Sequence, residues 1–193
     1  RSDCIDEEKL IYFADIAKTH YVIIEYGIES CYDKTLQYIN RCHNFQSVKD
    51  AIVATHQMGI KTGAHLLFGL PGETKDEMQE EASILSALPL DTIKFHQLQI
   101  TKGTRFEIEY RKKTESFQLF EPEEYADFIV DFVEKLSPSI VIERFASESP
   151  PSIKIAPHWE NMRNHQFVNL VESKLAKRNT WQGRLFATKQ DLP

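Results

Sequence analysis

The feature that most constrains this chain is a regular alternation of short apolar runs with longer amphipathic stretches. Residues 21–26 (YVIIEY), 62–68 (TGAHLLF), 92–100 (TIKFHQLQI) and 139–145 (SIVIERF) are rich in β-branched and aromatic residues. The first three lead into glycine turns at Gly27, Gly69-Leu70-Pro71-Gly72 and Lys102-Gly103-Thr104. Runs of this length and composition are predicted strands. Between them lie stretches with apolar residues at helical spacing: 5–18, 31–40 with Asp33 as N-cap, 45–58 stopped by Gly59, and 74–88. The last of these opens on the capping signature Thr74-x-x-Glu77. Two more helices are predicted over 121–136, with Pro122 at its start, and over 165–177.

Apolar strands alternating with helices specify a parallel sheet covered by helices. Four strands of about seven residues do not close a barrel of ordinary size, and the chain opens on a helix with no strand before it. The predicted fold is therefore α/β, the C-terminal half of a partial parallel (β/α) barrel of TIM-barrel type. A free-standing open α/β sheet is the alternative. In both, sites lie at the carboxyl ends of the strands. Residues 1–150 are expected to form the half-barrel, and residues 151–193, entered through Pro150-Pro151, a helical extension.

Composition narrows the function classes. With 193 residues, 41% hydrophobic and 27% charged, the chain is able to bury one sizeable core. A net charge of −6 argues against a groove for duplex nucleic acid, which needs clustered Lys and Arg. The apolar runs are too short to span a membrane, and no basic-then-apolar leader follows Arg1, whose place in the position of an initiator Met suggests a piece of a longer protein. Cys4, Cys31 and Cys42 are odd in number and irregular in spacing, which suits free thiols in a reducing cytoplasm and lacks the tight spacing of a zinc or cluster site.

Polar residues collect where the strands end. Glu25, Gly27 and Glu29 share one parity, with Ile24 and Tyr26 on the opposite face. His65 lies between Ala64 and Leu66, and Lys94 and His96 alternate with Ile93 and Phe95. Glu143 and Arg144 sit near the fourth strand's end, where parity does not decide which of them points inward. Buried charge is costly unless paired or liganded. A lining of Glu, His, Lys and His therefore argues for a polar cofactor or substrate.

At this point a resemblance becomes specific. Residues 25–30 (EYGIES), then Arg41, then residues 65–74 (HLLFGLPGET) resemble the fourth and fifth strands of radical S-adenosylmethionine (radical SAM) enzymes. Their elongator-like branch is the nearer group, and oxygen-independent coproporphyrinogen oxidase the more distant. Residues 94–98 (KFHQL), 102–104 (KGT), 156–159 (APHW) and 181–183 (WQG) resemble one uncharacterised bacterial subfamily of that branch. The resemblance implies an Fe-S oxidoreductase in which SAM binds a [4Fe-4S] cluster held by three Cys. Its reductive cleavage then gives a 5′-deoxyadenosyl radical that abstracts hydrogen from a substrate, tRNA or a small molecule. An electron donor such as flavodoxin or ferredoxin is implied. Carried over residue by residue, Glu29 lies at a ribose-hydroxyl position and Arg41 near the SAM carboxylate. His65 replaces a ribose-binding carboxylate. By their places at the strand ends, Glu25 joins them on the cofactor side, and Lys94, His96 and Arg144 fall on the substrate side.

The family's Cys-x-x-x-Cys-x-x-Cys loop and its Gly-Gly-Glu segment are absent. The natural protein is thus expected to be longer by about a hundred residues or more. This stretch alone is expected to assemble no cluster, to be inactive and, through its open strand edges, to self-associate. Two other classes stay open: a non-radical barrel enzyme using Glu, His and Lys in acid–base chemistry, and an RNA- or protein-binding module.

Overall fold

The computed structural model describes residues 1–113, 117–159 and 162–186. After a 3₁₀ turn at Ser2–Cys4, helix α1 (Glu7–Ala17) begins where the Asp6 carboxylate accepts the Lys9 N–H at 2.9 Å. Strand β1 (Ile23–Glu29) starts two residues later than the apolar run, because Tyr21 is exposed, and runs on to Glu29. Helix α2 (Asp33–Tyr38) follows. Asp33 is its first residue and not its cap; the Asp33 carboxylate accepts the Phe45 N–H at 2.7 Å and so ties α2 to the start of α3 (Phe45–Gln57). Gly59, at φ +74°, closes α3 in the left-handed region that an L side chain rarely adopts.

Strand β2 (Lys61–Phe68) leads through the turn at residues 69–72 into α4 (Lys75–Ser86), whose Thr74/Glu77 capping box is formed in full. Strand β3 (Thr92–Gln97) is shorter than its apolar run. Leu98 donates its N–H to the Phe68 carbonyl at 2.8 Å, and the chain then turns away as β4 (Ile100–Thr101). Helix α5 (Arg105–Lys112), in a stretch where no element is predicted, comes next, then α6 (Pro122–Lys135) and β5 (Val141–Arg144). A second short strand not foreseen, β6 (Lys154–Ala156), pairs antiparallel with β4, and α7 (Asn164–Arg178) packs on α6.

Strands β1, β2, β3 and β5 form one sheet in that order, every pair parallel, with β1 and β5 at its edges. Helices α3, α4 and α6 cover one face. There Tyr26, Ile28, Leu66, Phe68, Ile93 and Phe95 are buried with Ile52, Met78, Leu85 and Phe132 in one core. The Phe68 ring has its centroid 5.6 Å from Phe95, 4.8 Å from Phe128 and 5.1 Å from Phe132. The opposite face carries Glu25, His65 and Lys94. Helices on one face and a polar second face are the arrangement of a partial (β/α) barrel rather than a doubly wound open sheet. Above that polar face a smaller apolar cluster of Leu70, Leu98, Ile100 and Ala156 packs with Leu67, Phe106 and Phe117.

Candidate functional site

Register places the candidate residues. Gly27 lies opposite His65, and His65 opposite Lys94, so these three adjoin across β1, β2 and β3. Glu25 is the hub. One carboxylate oxygen pairs with the Lys94 ammonium, and the other lies 2.8 Å from His65 Nε2. Lys94 also reaches Glu143 at 3.2 Å, which settles that Glu143 is the residue turned toward the lining. The Lys94 hydrogen bond, against the opposing effect of burial and with help from His65, holds the Glu25 carboxyl below its ordinary value. Burial alone would lower Lys94; its bonds to Glu25 and Glu143 outweigh that and leave it raised.

His96 stacks on His65 with centroids 5.6 Å apart and planes at 18°. Burial first, then the charges of His65, Arg144 and Lys94, bring its imidazole down to about 4. His96 is therefore neutral near pH 7, and its buried Nε2 has no hydrogen-bond partner among the described residues. Arg144 lies opposite Lys94 across a register shift, is exposed, and forms no ion pair among the described residues. It reaches the group only through its field on His96.

A second group stands at the carboxyl end of β1. The pairing shifts between Gly27 and Glu29, and Ile28, in the bulge, turns into the core. Alternation nevertheless holds through the bulge: Ile28 points to the core like Tyr26, and Glu29, at a left-handed φ of 65°, stays beside Gly27 on the opposite face. Its carboxylate lies 3.5 Å from the Arg41 guanidinium, which also donates to the Gly27 carbonyl at 2.5 Å. A Cβ at Gly27 would stand 2.7 Å from Glu29 Oε1 and 2.9 Å from an Arg41 nitrogen, so it would displace the ends of both side chains. Arg41 Nε is buried with no partner among the described residues.

The structure thus joins Glu25, His65, Lys94 and His96 in one lining and Glu29 with Arg41 beside it, and leaves Arg144 at the margin. Two acids that sequence reasoning did not single out, Glu73 and Glu81, lie buried behind the second group. The available signal was Glu81 in the otherwise apolar row Met78, Ala82 and Leu85 of α4.

A sequence profile of the Radical SAM superfamily matches residues 3–85, and one of the Radical_SAM C-terminal domain matches residues 90–177. The chain belongs to the radical SAM superfamily. It is 37% identical over 188 residues to an uncharacterised protein of Methanocaldococcus jannaschii, covering 96% of this chain and 58% of that one. To the uncharacterised YtqA of Bacillus subtilis it is 27% identical over 186 residues, covering 96% and 57%. The chain spans about half the length of the curated relatives it matches. Its fold matches that of the archaeal Methanocaldococcus infernus Elp3 with an N-terminal deletion at TM-score 0.78 and 17% identity, over 94% of this chain and 41% of that one.

The superfamily implies SAM and an iron–sulfur cluster, and the residues present fit the two differently. For SAM, a carboxylate and a guanidinium with one unspent buried donor stand together at a strand's carboxyl end, a donor set suited to ribose hydroxyls and a carboxylate. For the cluster they do not fit. Cys4 and Cys42 are exposed and Cys31 is buried in the core cluster. No three His, Cys, Asp or Glu residues among those described are grouped to hold a metal.

Proposed function

We propose that this chain is the SAM-holding second half of a radical SAM Fe-S oxidoreductase of the elongator-like branch, inactive by itself and completed by further chain in a longer protein. The observation that carries this reading is the Glu29–Arg41 pair across Gly27, with Arg41 Nε left without a partner among the described residues. In this reading Glu29 accepts the ribose hydroxyls, Arg41 neutralises the SAM carboxylate, and Glu25 and His65 continue the cofactor wall. SAM supplies, when bound and reductively cleaved, a 5′-deoxyadenosyl radical for hydrogen abstraction. Lys94, the neutral His96 and Arg144 face the substrate, a small molecule or tRNA. The apolar cluster over the lining keeps water from the reacting centre. The three free thiols suit a cytoplasmic protein served by flavodoxin or ferredoxin. No described helix is long and apolar enough to cross a membrane.

The test is anaerobic reconstitution with iron and sulfide. The whole protein should show a stoichiometric [4Fe-4S] absorption and cleave SAM when reduced, and these 193 residues alone should show neither. A whole protein that takes up no cluster would end the reading. The Glu25–His65 contact and neutral His96 also favour a second reading, acid–base catalysis in a barrel without iron. It requires turnover by the iron-free protein.

A further inference from the structure

Behind Glu29 the chain makes a turn, Ser30-Cys31-Tyr32, before α2 and then Arg41. This turn is held from the next strand–helix unit. The Glu81 carboxyl, fully buried on α4, accepts the Cys31 N–H at 2.6 Å. Glu73, from the turn before α4, accepts the Ser30 hydroxyl, and Ser30 Oγ accepts the Tyr32 N–H at 3.0 Å. The Tyr32 hydroxyl donates to the Glu77 carbonyl at 2.9 Å, and Lys34 pairs with the Glu77 carboxylate at 2.5 Å. Arg41, at the other end of α2, is anchored by its own N–H to the Leu36 carbonyl at 2.9 Å. Both members of the Glu29–Arg41 pair are therefore fastened to a segment that the α4 acids hold in place.

Glu73 and Glu81 each keep a second, buried carboxyl oxygen with no partner among the described residues. No cation pairs with either one there. Two neighbouring carboxylates in such a place cannot both stay ionised. We infer that Glu81, as an uncharged acid, is a positioning residue that sets the gap between Glu29 and Arg41 by fixing the Ser30–Tyr32 turn. This rests on the reading of that pair as SAM contacts. Burial first, then the charge of Glu73, holds the Glu81 carboxyl well above its ordinary value, and burial raises Glu73 as well. The groups around them are Cys31 and Tyr32 on the turn, Thr35 and Lys34 on α2, Lys49 on α3, and Glu77 and Glu80 on α4.

The sign follows from the raised acids. Their protonated form is favoured in the folded state, so the stability they contribute is full below the ordinary carboxyl value of 4.5 and is lost as pH rises through the folded value. The experiment compares the whole protein as wild type, Glu81→Gln and Glu81→Leu. The probe is S-adenosylhomocysteine, with affinity and melting temperature read from pH 5 to pH 8. Glu81→Gln keeps the acceptor and cannot ionise. It should bind like wild type at pH 5, gain stability relative to wild type as pH rises, and show a flat affinity profile where wild type weakens. Glu81→Leu, which leaves the Cys31 N–H without an acceptor, should lose about tenfold in affinity. Should Glu81→Leu fail to fold, the two remaining pH profiles decide. Superimposable wild-type and Glu81→Gln profiles, or unchanged affinity in a folded Glu81→Leu, would overturn this inference alone. A wild type that binds no S-adenosylhomocysteine overturns the reading beneath it as well.

Discussion

At Glu25 three demands meet in one carboxylate: Lys94 on one oxygen, His65 on the other, and partial burial around both. Its depressed value gives stability that is present above the ordinary 4.5 and is lost as pH falls through the folded value. Lys94→Met removes the larger of the two charge partners. The Glu25 carboxyl should then titrate higher, followed by carbon-13 NMR of its side chain, and the acid side of the stability profile should flatten. An unmoved Glu25 would show that Lys94 does not hold it. His96 is the contrasting case, because its environment strips charge and leaves a neutral ring with one nitrogen unsatisfied among the described residues. These partnerships were only partly legible beforehand. Parity placed Glu25, His65, Lys94 and His96 on one face, but it carries no information on which of Glu143 and Arg144 turns inward. The contact between Lys94 and Glu143 decides that.

Among the elements, β2 and the turn after it carry the most weight. Phe68 is fully buried among four aromatic rings, and Phe68→Ala should cost about 3–5 kcal/mol in chemical unfolding. Gly69 has φ +97°, and a Cβ there would press against the Gln118 carbonyl oxygen. Gly69→Ala should therefore destabilise by more than the roughly 1 kcal/mol that separates Gly from Ala in ordinary backbone. A substitution that melts like wild type would refute the tight approach. The parallel sheet and six of its helices were readable from the alternation, since apolar periodicity and caps are local properties. The break after Gln97 was not. Residues 92–100 look like one strand, yet Gln97 and Gln99 both hold the Ser147 carbonyl, and that long-range grip goes with the separate pairing of β4. Helix α5 escaped for a related reason. It has no fully buried residue, so it lacks the apolar stripe that marks a helix; its surface pairs Arg105–Glu109 and Arg111–Glu107 support it instead.

For the whole molecule, the arrangement is a parallel sheet with one polar face and with both edge strands, β1 and β5, unpaired on their outer sides among the described residues. Such edges invite pairing with another chain. Produced alone, these 193 residues should associate into dimers or larger species by light scattering, with the β1 edge as the seam. A monodisperse monomer would contradict this. The likeness to an Elp3 is one of fold, and the match of two radical SAM profiles places the chain in its superfamily, while the site must be judged on its own residues. The central claim is that Glu29 and Arg41 hold SAM, and the most direct measurement is equilibrium binding of S-adenosylhomocysteine to the whole protein by calorimetry. Arg41→Ala removes a charge-assisted contact worth roughly 1.5–3 kcal/mol, so affinity should fall about ten- to hundred-fold with the melting temperature nearly unchanged. Equal affinity in wild type and Arg41→Ala would contradict the account.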